Sequence, residues 1–360
     1  TRAGKWSEAA EQVQAAQQLN PAGLDAALLN IQIKMQLLQQ SDLKPDDPQW
    51  QTLANQMKQL RQAAPDSLPV KLADFQLALL LQQKERAEQI MADLNKSDPD
   101  SIQVAMAQIS LLEDQGRSEE IEPALRAILQ KHPQTLTPVK VLATYLLGRG
   151  QTADGEKVIQ EARQRIAAPQ AQRELGLLLA DWYRSQGQND QSLAVLEALS
   201  SQFPQDISIL RQLLNNPQIR QNDSRCRELV DRIQKEEGQS GWQWRYEQAR
   251  LWLDSKDFSA QYAATVSLLK ENLQARPDDN ASRILLAAAY ERAGDKQLAL
   301  ATFREAYHRS PRDLNVMVPL VAALNKAGEF AEADEILNRA AQQKFSHPLL
   351  SSLRYQNYIG

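Results

Sequence analysis

Apolar residues recur at three- and four-residue spacings along nearly the whole chain, and the runs are cut at even intervals by glycine and proline. Leu286, Ala287 and Tyr290 share one face of a predicted helix, Gly294 and Asp295 break it, and Ala299, Phe303 and Ala306 share the face of a second. Pro311 then closes the unit. The next stretch repeats this order with Leu324, Gly328, Phe330, Ala333, Leu337 and Ala340, where Ala333 and Ala340 lie 34 residues beyond Ala299 and Ala306. The same 34-residue step separates Gly116 from Gly150, Gly294 from Gly328, and Pro65 from Pro99 and then Pro133. A fixed period of this length predicts one helix–turn–helix unit stacked many times, with no single enclosed core.

Upstream the marks persist with weaker detail. Ala180, Tyr183, Gly187, Ser192, Leu196 and Pro204 form one unit, and Ala143, Leu146, Gly150, Gly155, Ile159 and Ala162 another. Gly116, Leu125 and Pro133 mark a degenerate unit with Ile121 at a position usually small. Phe75, Ala87 and Pro99 mark one in which Gln82 replaces the turn glycine. Gly4, Trp6, Ala9, Val13, Ala16 and Pro21 read as the second helix of a repeat whose first helix is missing. The aspartates of Pro65-Asp66, Pro99-Asp100, Pro204-Gln205-Asp206, Pro277-Asp278-Asp279 and Pro311-Arg312-Asp313 are each expected to cap the helix that follows.

Small, aromatic, glycine and proline residues at these offsets resemble the tetratricopeptide repeat. The resemblance implies an all-α fold, a right-handed α-solenoid superhelix of about nine to ten helix pairs. Residues 1–346 are expected to form it, with atypical repeats around 21–65 and 205–276. In the first, Ser41–Pro48 reads as an inserted loop ending in an Asp47 cap and Pro48 at the first helical position. In the second, Asn215-Asn216-Pro217 and Gly238–Gly241 punctuate the helices, and Tyr262–Asn272 extends one of them. Residues 347–360, with Leu349, Leu350 and Leu353, read as the first helix of a truncated further repeat, so both ends are expected to continue in a longer protein.

Composition agrees with helices: Val, Ile and Thr are sparse beside Ala, Leu, Gln, Glu and Arg. The Gln- and Ala-rich style points to a bacterial source. The 45 acidic and 41 basic residues interleave to a net charge of −4, which opposes a nucleic-acid footprint. Apolar stretches such as Ile284–Tyr290 are too short to cross a bilayer. The compartment, cytoplasmic or periplasmic, stays open.

No chemistry emerges. His132, His308 and His347 are scattered over different repeats, Cys226 is the only cysteine, and no metal-ligand spacing or phosphate-cradling loop occurs. No catalytic, cofactor or metal residue is expected, and the chain is not expected to be an enzyme. The aromatic run is open to two readings. Trp242, Tyr246 and Trp252 share a helical face with Ala249, whereas Trp244 lies off it, exposed or packed on the next repeat. The run is either a well-filled repeat junction or an anchor for a partner peptide.

The resemblance further implies that the first helices of successive repeats line a concave groove. The groove-facing offsets fall on Glu174, Asp181 and Arg184, then Tyr246 and Arg250, then Glu291 and Arg292, then Asn325 and Lys326. Apolar Leu177, Ile284, Ala288, Val318 and Ala322 lie among them. A protein or peptide partner of mixed side-chain character is expected. The Lys and Asn clamp of chaperone-tail binders is not reproduced, since Lys140 stands with Thr144 and Leu177 with Asp181. The leading expectation is a non-catalytic interaction scaffold. The alternatives are a cell-envelope assembly module, for polysaccharide export or pilus biogenesis, and a regulatory repeat domain of a larger enzyme.

Overall fold

The computed structural model describes residues 23–40, 43–342, 349–350 and 352–354. Among the described residues every regular element is a helix, and the helices pack in consecutive pairs. The pairs begin with α1 (Leu24–Gln40) and α2 (Pro48–Ala63), α3 (Leu68–Leu80) and α4 (Lys84–Ser97), and α5 (Ile102–Asp114) and α6 (Ser118–Lys131). They continue with α7 (Leu136–Gly148) and α8 (Thr152–Arg165), then α9 (Pro169–Ser185) and α10 (Asn189–Gln202). After these come α11 (Ile207–Asn215), the one-turn α12 (Pro217–Arg220) and α13 (Asp223–Glu237). The last pairs are α14 (Trp242–Asp254) with α15 (Phe258–Ala275), α16 (Asn280–Arg292) with α17 (Lys296–Arg309), and α18 (Leu314–Ala327) with α19 (Phe330–Gln342).

The chain divides into two compact units, one up to Val195 and one from Leu196. In the first, the core is a succession of clusters that hand over from repeat to repeat. Trp50, Leu53 and Met57 pack with Val70 and Leu77; Phe75 packs with Ala87, Met91 and Leu111; and Leu112, Leu125, Leu142 and Ile159 lead on to Leu175. The second unit repeats the scheme, Ala249 and Leu269 packing with Leu286 and Ala299, and Phe303 and Ala306 with Leu320, Leu324 and Ala333. Neighbouring repeats therefore bury one another, with contacts running inside a pair and to the pairs on either side of it.

The period comes from two short helices and two tight turns. First helices of 13 residues alternate with second helices of 14 in α3 to α8, and again in α16 and α17. Six turns inside pairs place one residue in the left-handed region: Gly116, Gly150, Gly187, Gly294 and Gly328, and in the α3–α4 turn Gln82 at φ +56°; the α14–α15 turn instead ends on Ser255 and Asp257 at negative φ. The next residue's N–H then bonds back to a carbonyl of the last helical turn, as from Gln151 to Leu146 O (3.0 Å) and from Gln83 to Ala78 O (2.9 Å). Gln82 thus adopts the glycine conformation without the glycine.

Turns between pairs follow a second rule, and it corrects the expected caps. The residue two places after the proline is the N-cap: Ser67, Ser101, Thr135, Asp206, Asp279 and Asp313. Asp206, Asp279 and Asp313 meet the helix amides as expected, Asp206 Oδ1 accepting from Ser208 N at 2.9 Å. Asp66 and Asp100 do not, because they sit one residue too early; Ser101 Oγ takes the Val104 N–H instead.

Asp47 caps α2 by accepting from Gln49 N at 2.9 Å, with Pro48 in the first turn as expected. α15 runs to 18 residues, the expected extension, and Asn216 caps the extra one-turn helix α12. Leu350 and Leu353 pack on the α18–α19 cluster, but Leu349, expected with them, is 53% exposed. The Gly4–Pro21 marks and His347 lie outside the described residues.

Candidate partner-binding face

The first helices carry the expected groove residues, and most of those side chains bond to the neighbouring repeat. In the first unit Lys140 Nζ of α7 lies 2.7 Å from Glu174 Oε2 of α9. Gln170 Nε2 donates to the other Glu174 oxygen at 2.9 Å. The Lys140 hydrogen bond, aided by Gln170, holds the Glu174 carboxyl below the usual glutamate range. Asp181 and Arg184 pair within α9 at 2.6 Å, both about half exposed.

In the second unit the bonds are denser. Glu247 of α14 is 1% exposed and lies between two guanidinium groups, Arg211 Nε of α11 at 2.7 Å and Arg250 Nη2 at 2.6 Å. Arg250 also donates to Asn215 Oδ1. Arg211 stacks on the rings of Trp242 (5.5 Å) and Tyr246 (5.6 Å), and Arg276 covers Trp242 at 3.9 Å. Burial raises the Tyr246 hydroxyl above its ordinary value. Arg292 donates to Ser255 O at 2.7 Å and lies over the Phe258 ring at 4.9 Å. Lys326 Nζ reaches Glu291 Oε1 at 2.8 Å, and Asn325 Nδ2 donates to Leu353 O at 3.1 Å.

Within each unit, side chains of the expected strip thus form a ladder of bonds between partners 34 to 37 positions apart. Glu291 and Lys326 come together, as do Asp181 and Arg184; Tyr246 and Arg250 join through Arg211 and Glu247. Arg211 and Glu247 were not anticipated, and their only sequence signal is the 36-residue spacing of opposite charges. Trp244, expected exposed or packed on the next repeat, is half-buried in its own helix beside Arg245, whose guanidinium lies 5.7 Å from the ring. The aromatic run is therefore a repeat junction filled by arginines as much as by rings.

An opening upstream was not anticipated from the residues either. Between α3, α5 and the start of α7 lies a groove of about 460 Å³, floored by Leu72, Phe75, Ile102 and Met106. Elsewhere Cys226 is buried and donates Sγ–H to Ile219 O, its thiol pushed up chiefly by burial. Among the described residues no group of three His, Cys, Asp or Glu could hold a metal ion, and no helix is long and apolar enough to cross a membrane.

The sequence signature of the tetratricopeptide repeat matches residues 292–356, and a second signature of the same repeat matches residues 174–206. No curated protein matches the sequence. Among solved structures, a tetratricopeptide repeat protein from Parabacteroides merdae superposes with a TM-score of 0.54 at 16% identity, covering 71% of this chain and 97% of that one. The APC/C hetero-tetramer Cut9-Hcn1 gives a TM-score of 0.41 at 14% identity over 88% of this chain and 59% of the other.

Proposed function

The chain is a tetratricopeptide-repeat protein, and from that premise we propose that it is a non-catalytic scaffold whose first-helix faces hold a protein or peptide partner. Tetratricopeptide repeats are in general protein-interaction scaffolds. The observation that carries the reading here is the bonded ladder. Side chains fixed by a neighbouring repeat lose little further freedom when a partner arrives, so the face is preorganised for recognition. The proposed contacts are Glu174, Asp181 and Arg184 in the first unit, and Tyr246, Arg250, Glu291, Arg292, Asn325 and Lys326 in the second. Lys326 and Arg184 offer accessible charges, at 72% and 51% side-chain exposure.

Affinity capture from the source organism tests this. The full chain is compared with Asp181→Lys and Lys326→Glu on the proposed face, and with Glu161→Lys and Arg339→Glu on second helices. Circular dichroism confirms that each variant folds. A captured protein lost with the first two and kept with the last two supports the reading; identical recovery from all five chains overturns it. Reversal of Arg250 or Arg292 is a poor probe, since each is bonded to the adjacent repeat.

A further inference from the structure

We draw no further inference here: the strongest candidate, the acidic cleft where α13, the end of α14 and the start of α15 meet around Asp223, Asp231, Asp257 and Trp252, is a cluster of carboxylates with no second feature that points to a ligand, since no buried unpaired polar group among the described residues belongs to its lining.

Discussion

Lys140 and Glu174 stand one repeat apart, 34 positions along the chain, and their charged ends meet at 2.7 Å. The pair is a rung between the first helices α7 and α9, half open to water, so its worth is set by solvent screening. Replacing either partner by alanine should cost about 0.2–1 kcal/mol in denaturant unfolding, and less at high salt. The swap Lys140→Glu with Glu174→Lys should recover most of the loss. Because the glutamate lies below its ordinary value of 4.5, its contribution is present above that pH. It fades as the pH falls through the lower folded value. A double-mutant cycle with no coupling at low salt would count against the rung.

The turn residues offer a test with opposite signs. Gln82 sits at φ +56° and is exposed, so glycine there relieves left-handed strain and removes no packing. Gln82→Gly should stabilise by about 0.5–1 kcal/mol, after the entropy that glycine adds to the unfolded chain. Gly150 lies at φ +76° with open space where an alanine methyl would stand. Gly150→Ala should therefore cost about 1 kcal/mol through backbone strain alone. Calorimetric melting of both variants checks the pair of signs.

Asp74 is 4% exposed on α3, between Arg86 at 2.5 Å and Arg61 at 3.8 Å. Burial outweighs both guanidinium groups and raises its carboxyl above the ordinary value of 3.8. For a raised acid the ionised form is penalised in the folded state. The penalty is present above the folded value and absent below the unfolded one. Asp74→Asn should therefore melt higher than the natural chain at neutral pH, and the difference should shrink as the pH falls through the raised folded value and be gone below the ordinary value of 3.8. A variant that melts lower at neutral pH would show that the arginines outweigh burial.

Ala299 faces the helix-pair junction at 2% exposure, while Ala301, two residues on, faces water. Ala299→Trp should overpack that junction and cost about 1–3 kcal/mol; Ala301→Trp should be near neutral. Equal melting temperatures would contradict the assignment of the buried face.

Much of the fold was legible in the residues because its controls are local. A glycine after a first helix, a small residue at Ala299 or Ala306, and a proline before the next pair each act within a few positions of themselves. Gln82 was legible by its place in the period even with the wrong side chain. Asp66 and Asp100 do not cap because backbone geometry puts the serine of each Pro-Asp-Ser at the N-cap position, where Ser101 accepts from Val104 N and Ser67 makes no cap bond.

The candidate face was less legible. Arg211 and Glu247 look like ordinary solvated charges in the sequence, and only the stacking of α14 on α11 buries one between two guanidinium groups. The neutral groove at Leu72–Thr137 was invisible for the same reason, since its walls come from three helices separated by whole repeats.

In the regular repeats the period determined the helices, their turns and the residues that touch inside a pair, because those interactions span fewer than 34 residues and each regular repeat restates them. Only the tertiary structure decided which polar side chains are consumed by the neighbouring repeat and which remain open. That depends on how side chains from separate repeats converge in space, and a linear pattern of residue types does not encode the convergence.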